Sequence, residues 1–402
     1  MNMGRHQRAE SAGLVSFLCS AIISGVGMML YMDYASAIWQ VSMRRFMVCA
    51  AFVACCGVVS FIVGYVHRSR VVSATPGLLG PLRRGIEILA LSIVYAATLF
   101  LTSFMLFSLA NSTMGTSLFT DYIPALTAAF SGISGYITFV QAELMDAKTL
   151  ASLLPLFIVS GVITASMTTN DPNWFRNNFS QLGDRTTFAA RMFNATLIVG
   201  GVCVIIISYF AISELIATYR VRFDNPDVLR TIHVGYKIPR FYFRIGALTV
   251  LLLLSGLCFI GIGLFRYTPH PLIHNVFARG LPCIMGLLLI SLPWLAPQLS
   301  RTMYVVSDIA LLAAAIAGIS WIMGHNTLTN VEALAGMLFL GWFIVFSRQI
   351  AAIESDRIQR QLVQRNTGIT NDFELEQAVR NDEQLVFESS LQGPLRPSHH
   401  QE

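Results

Sequence analysis

Residues 193–215 read FNATLIVGGVCVIIISYFAISEL, and Glu214 is their only charged side chain. A helix that crosses a membrane needs about 20 consecutive residues that are mostly apolar. The stretch is long enough and apolar enough to meet this requirement. It therefore predicts a membrane-spanning helix.

The composition agrees with this prediction. Of the 402 residues, 54% are hydrophobic and 12% are charged, whereas soluble domains carry about 25% charged residues. This balance excludes a cytosolic globular enzyme, a disordered chain and a collagen-like repeat. The net charge of +5 is too small and too dispersed to indicate a nucleic-acid partner, so none is predicted.

Similar apolar stretches recur along the chain. Together they predict an all-α fold, a polytopic bundle of about ten transmembrane helices. The predicted spans are Leu14–Met32, Phe46–Val66, Ile86–Ala110, Tyr122–Ala142, Leu150–Thr168, Phe193–Leu215, Ile245–Phe265, Val276–Leu295, Tyr304–Met323 and Val331–Phe346.

The basic residues predict which helix ends face the cytoplasm. Cytoplasmic loops of membrane proteins carry an excess of lysine and arginine. With the N terminus inside, 20 of the 27 basic residues fall on the cytoplasmic side and 7 fall outside. The sequence therefore predicts a multi-pass protein of the cell membrane with both termini in the cytoplasm.

Three regions follow from these spans. Residues 1–149 hold the first four, and residues 150–348 hold the other six together with two outer loops, 169–192 and 266–275. Residues 349–402 begin as a cytoplasmic amphipathic helix and continue as a polar tail. For the tail, a solvated segment and a binding site for a protein partner are the two alternatives.

The two outer loops concentrate polar and aromatic residues, while no charged group lies near the middle of any predicted span. They supply a candidate outer-face site made of Asn178, Ser180, Gly183, Asp184, Asn194, His270 and His274. Four arginines in or beside the loops could bind a lipid phosphate or another anion. These arginines are Arg176, Arg185, Arg266 and Arg279.

Two other interpretations compete for the same loops. A metal site would use His270 and His274 with a carboxylate such as Asp184, but Pro269 and Pro271 disfavour a helix around His270. We therefore predict no metal. In the other interpretation the loops are a structural cap, with aromatic side chains that anchor at the membrane surface. The chain has no Walker loop, G-x-S-x-G or dinucleotide fingerprint, so no cofactor and no enzyme class are predicted.

Several of these residues also carry a resemblance. The loop Asn178-Phe179-Ser180-Gln181-Leu182-Gly183 leads to Phe193-Asn194 at the start of a span, and the later loop contains Gly261-Ile262-Gly263-Leu264-Phe265, Pro269 and His274. This pattern resembles domain-of-unknown-function family 998 of bacterial integral membrane proteins, which is related to the eukaryotic Frag/DRAM/Sfk-like proteins. The resemblance covers residues 150–350. The family has no settled activity, but its eukaryotic relatives suggest lipid handling or membrane trafficking. The resemblance marks Asn178, Ser180, Gly183, Asn194 and His274.

The leading hypothesis is a multi-pass membrane protein without an assigned reaction, whose outer face binds membrane lipid or an envelope component. One alternative is a secondary transporter, with a hydrated path lined by Ser103, Thr127, Ser131, Ser134 and Thr138. The other is a scaffold or sensor that acts through the basic loop Arg220–Arg244 and the tail. The sequence carries no signal for an oligomeric state.

Overall fold

A computed structural model describes residues 5–38, 40–72, 79–114, 122–143, 147–223, 238–367 and 377–378. Within these residues the chain forms eleven α-helices and no strand, which confirms the all-α prediction. Ten helices are long, and α6 is a single turn. In chain order they are α1 (Arg5–Tyr34), α2 (Ser42–Val72), α3 (Leu79–Met114), α4 (Ile123–Glu143), α5 (Ala147–Thr168), α6 (Ser180–Gly183), α7 (Phe188–Phe223), α8 (Phe241–Leu264), α9 (Pro271–Leu295), α10 (Arg301–Ile322) and α11 (Leu328–Thr367).

The ten long helices coincide with the ten predicted spans. In the part of the chain that the structure describes, nine of them are long and apolar enough to cross a membrane. The exception is α5, whose apolar part Leu153–Thr168 is shorter. With 22 residues, however, α5 is about 33 Å long, close to the thickness of the hydrocarbon core.

Helix α4 packs against both α1 and α2 through small and hydroxylated residues. The Ser16 hydroxyl donates to Ser60 Oγ at 2.7 Å, or to the Gly135 carbonyl at 3.2 Å. Without a hydrophobic drive between helices in lipid, such close packing and interhelical hydrogen bonds hold transmembrane bundles together. The weakly apolar α4 is therefore an interior helix of this region.

The hydroxyls assigned to a transport path lie in or near the same region. Thr127, Ser131 and Thr138 are each at most 1% exposed. Thr127 donates to the Ile123 carbonyl at 2.8 Å, and Thr138 lies 2.9 Å from the Gly57 carbonyl. Helix packing shields these hydroxyls from water. A transport path along them would therefore require α2 and α4 to separate.

The other helices surround a second, larger core. Helix α7 lies between α5 and α8, α9 packs on α8, and α11 packs against α5, α7 and α10. Helix α3 connects the two regions, because it contacts both α2 and α5. The Thr102 and Ser160 hydroxyls lie 3.0 Å apart across the contact between α3 and α5.

Helices α7 and α8 approach each other at a pair of glycines. A Cβ atom on Gly256 would lie 2.8 Å from the Gly201 carbonyl oxygen, and a Cβ on Gly201 would collide with the Gly256 carbonyl. Both obstacles are backbone atoms, which cannot rotate away. The close approach therefore requires glycine at both positions.

Gly201→Ala is accordingly expected to lower the melting temperature of the purified protein. Forcing a methyl group into a closely packed contact costs about 1–3 kcal/mol. Gly246→Ala on α8 is the matched control, because a Cβ there would meet nothing within 4 Å. A melting temperature for Gly201→Ala at or above that of Gly246→Ala would contradict the contact.

The last helix continues well beyond its predicted span. Helix α11 runs unbroken for 40 residues, so the predicted amphipathic segment extends the tenth span without an intervening loop. Ile350 and Val363 of this extension are buried, whereas Ile358 and Leu362 are exposed. Most of the predicted polar tail and the middle of the basic loop, residues 224–237, lie outside the described residues.

Candidate functional site

The candidate site is built from two connections on one face of the bundle. Residues 169–187 join α5 to α7, and residues 265–270 join α8 to α9. A carboxylate holds them together: Asp184 accepts hydrogen bonds from the backbone nitrogen and the hydroxyl of Thr268. We call this face of the bundle the site face.

His274 lies at the centre of this face, in the first turn of α9, and is only 4% exposed. Its Nδ1 lies 2.7 Å from the Phe265 carbonyl oxygen, and its Nε2 lies 3.0 Å from Ser180 Oγ. A carbonyl oxygen can only accept, so Nδ1 must carry a proton. In the neutral ring Nε2 then has a free lone pair and accepts the hydrogen bond of the Ser180 hydroxyl.

Ser180 is held in place by its neighbours in the chain. The Phe179 backbone N–H donates to Glu332 Oε2 at 2.8 Å, and Asn178 Oδ1 accepts from the Gln181 backbone nitrogen at 3.2 Å. The first contact anchors the loop to α11, and the second closes the turn before α6. Sequence reasoning missed Glu332; its signal was a lone carboxylate at the start of the otherwise uncharged span Val331–Phe346.

Gly183 and Asn194 form the other end of the site. Asn194 Nδ2 donates to the Gly183 carbonyl at 2.9 Å. A Cβ on Gly183 would collide with Asn194 Oδ1 and would lie 2.9 Å from the Phe193 ring. Glycine is therefore required here so that α6 can pack on the start of α7. Beneath it, Leu182 and Phe193 join an apolar cluster with residues of α5 and α7.

Arg176, Arg185 and Arg266 lie in the two connections, and Arg279 is the ninth residue of α9. Arg185 forms an exposed ion pair with Asp171 at 3.4 Å. Among the described residues, the guanidinium groups of Arg176, Arg266 and Arg279 form no hydrogen bond or ion pair. Arg176 and Arg279 are exposed and Arg266 is partly exposed. Two positive charges in the connections, those of Arg176 and Arg266, and a third on α9, that of Arg279, therefore have no counter-charge within the described chain.

His270 stands apart from His274. It is the exposed residue that precedes α9, its backbone is not helical (φ −137°), and its ring lies edge-on to Phe265 at 6.1 Å. Pro271 starts the helix after His270, so the two imidazoles do not share one helix face. In the residues that the structure describes, no group of three His, Cys, Asp or Glu side chains could hold a metal ion.

The structure thus joins six of the seven candidate residues in one hydrogen-bonded region: Asn178, Ser180, Gly183, Asp184, Asn194 and His274. Chemically, the region offers a histidine beside a hydroxyl, with arginines in the same connections. A role for these residues in binding or reaction stays a prediction, because their contacts also stabilise the loops.

No protein-family model, curated protein or solved structure matches the chain. The resemblance to domain-of-unknown-function family 998 therefore stays a prediction. Nine helices of the described residues are long and apolar enough to cross a membrane, which suggests a multi-pass membrane protein.

Proposed function

We propose that this chain is a multi-pass protein of the cell membrane whose site face lies outside the cytoplasm and binds the polar headgroup of a membrane lipid. A related envelope component with an anionic group would offer the same chemistry. The predicted excess of arginine and lysine on the opposite face supports this orientation.

One observation carries the proposal: three arginine side chains in or beside the two connections have no partner among the described residues, while the polar groups of the connections are hydrogen-bonded to one another. The side chains of Arg176, Arg266 and Arg279 have no partner in the described chain, whereas the neighbouring Asp184 is already bound by Thr268. Guanidinium groups bind phosphate through two parallel hydrogen bonds. An anionic headgroup would supply the missing partners.

The aromatic residues of the site face favour a lipid over a soluble anion. Phe175 and Tyr267 are 50% and 48% exposed, and Trp174 packs against Phe179 with ring centroids 5.4 Å apart. Exposed aromatic side chains at helix ends are typical of the membrane–water interface. The resemblance to family 998, with its implied lipid handling, points in the same direction.

We expect the purified protein to bind phosphatidylglycerol more tightly than phosphatidylcholine and to lose this preference when the three unpaired arginines are replaced by alanine. Hydrogen bonds to charged groups contribute about 1.5–3 kcal/mol each, so loss of even one such contact lowers affinity about tenfold or more. Lipid titration of the full-length protein, monitored by native mass spectrometry, measures both affinities.

Arg301→Ala is the matched control, because it removes an exposed arginine at the opposite face. Its preference for phosphatidylglycerol should equal that of the wild type. Equal affinity of the wild type for both lipids, or an unchanged preference in the triple variant, would contradict the proposal.

A further inference from the structure

We propose that Ser180 and His274 act as nucleophile and general base in cleaving an ester bond of a lipid bound at the site face. This inference rests on the proposed function, since it needs a lipid headgroup at this face. It adds a reaction, acyl transfer from the lipid to water, and a substrate class, lipid esters.

The geometry of the pair is the first argument. A serine hydroxyl becomes a useful nucleophile when a base within hydrogen-bond reach takes its proton and a third group orients that base. Ser180 Oγ lies 3.0 Å from His274 Nε2, and the Phe265 carbonyl holds Nδ1 at 2.7 Å. This carbonyl fixes the tautomer that leaves Nε2 able to accept a proton.

Exposure is the second argument. The His274 ring is 4% exposed, and the Tyr267 ring meets it edge-on with centroids 5.8 Å apart. Ser180 is partly exposed. The base is therefore shielded from bulk water while the hydroxyl stays within reach of a ligand on the site face.

Depth in the membrane is the third argument. His274 is the fourth residue of α9, and Ser180 lies in the connection before α7. Both residues are thus at the ends of spanning helices, where the hydrocarbon core gives way to the headgroup region. The ester bonds of glycerolipids lie at this boundary, so a bound lipid would present its scissile carbonyl at this level.

The reaction would proceed in two balanced steps. Ser180 Oγ attacks the acyl carbonyl carbon and transfers its proton to His274 Nε2; the ester C–O bond breaks, and the leaving alcohol takes that proton. A water molecule then attacks the acyl-serine and gives a proton to Nε2. The bond between the acyl carbonyl carbon and Ser180 Oγ breaks. Oγ takes back the proton from Nε2, and a fatty acid is released.

Two neighbouring residues would be positioning residues. Glu332 fixes the backbone of Phe179 at 2.8 Å, and Asn178 accepts from Gln181. Both contacts restrain the turn that carries Ser180 without touching its hydroxyl. They would hold the serine toward the imidazole.

A fluorophosphonate probe tests the pair on the full-length protein in nanodiscs. We expect it to form a phosphonate ester on Ser180, identified by peptide mass spectrometry. Labelling should be absent in Ser180→Ala and at least about tenfold slower in His274→Gln, which keeps a hydrogen-bond donor but no base of comparable strength. His270→Ala should label at the wild-type rate.

Ser180→Cys gives a second measurement if the alanine variant does not fold. Iodoacetamide should alkylate this thiol at least about tenfold faster when His274 is present than in Ser180→Cys/His274→Gln. Unlabelled Ser180 in a wild-type protein that still prefers phosphatidylglycerol would overturn the reaction and leave the proposed function standing. A wild-type protein whose Ser180 is labelled but which does not prefer phosphatidylglycerol would contradict the proposed lipid substrate, and with it this inference.

Discussion

His274→Ala is expected to release the two site-face loops from each other, with a large rise in hydrogen exchange in residues 178–184 and 265–270. The substitution leaves the Phe265 carbonyl and the Ser180 hydroxyl without their partner. A hydrogen bond contributes about 0.5–1.5 kcal/mol to stability, so loss of both raises local opening about tenfold. Hydrogen exchange followed by mass spectrometry on the full-length protein measures the effect.

His270→Ala is the matched control for this experiment. His270 is exposed, lies four residues from His274 and contacts Phe265 only through its ring edge. Its exchange pattern should therefore equal that of the wild type. If both variants exchange alike, His274 does not hold the loops together. The two variants also distinguish a local effect from global unfolding. Hydrogen exchange in α1 to α4 should be equally slow in both variants and in the wild type.

The fold could be predicted because one physical constraint dominates it. Each spanning segment must satisfy its own backbone hydrogen bonds in lipid, so helices of about 20 residues are the only solution for an apolar chain without strand alternation. Length and hydropathy therefore locate α7 from residues 193–215 alone. They do not fix its ends: α7 runs from Phe188, whose ring contacts Phe104 of α3, to Phe223, one turn beyond Tyr219, which stacks on Phe241 of α8.

The candidate site could be predicted only in part. Ser180 and His274 are 94 positions apart, and only the polarity of two outer loops and the resemblance to family 998 joined them. Glu332 is a lone carboxylate at the start of a span, but its role depends on a contact with a backbone nitrogen 153 positions away, which that local signal does not reveal. Hydropathy reports where a segment lies in the membrane but not which side chains meet at its end.

On the opposite face, too, the sequence predicts where a residue lies but not which side chain it contacts. Glu214 lies near the end of the sixth predicted span. The sequence therefore predicts that its carboxylate is close enough to the membrane surface to be hydrated. In the structure its side chain is only 12% exposed, because the extension of α11 covers it and brings Arg357 against it. That pairing follows from the unbroken length of α11, which the sequence pattern does not fix.

Breaking this ion pair is expected to be the most destabilising change on the opposite face. Arg357 Nε and a terminal nitrogen lie 2.7 and 3.0 Å from the two oxygens of Glu214, a two-pronged contact, and the arginine is 19% exposed. Hydrogen bonds to charged groups contribute about 1.5–3 kcal/mol, and Glu214→Ala removes both of those that this partly buried guanidinium donates to Glu214. Glu214→Ala should therefore lower the melting temperature of the purified protein markedly.

The charge-reversed double variant, Glu214→Arg with Arg357→Glu, distinguishes an ion pair from simple packing. Each single reversal places two like charges together, whereas the double variant restores opposite charges and should recover part of the lost stability. Asp308→Ala is the matched control, because it removes an exposed carboxylate from the neighbouring α10 and should leave the melting temperature unchanged. A double variant no more stable than the single reversals would mean that shape, and not charge, holds the extension of α11 to α7.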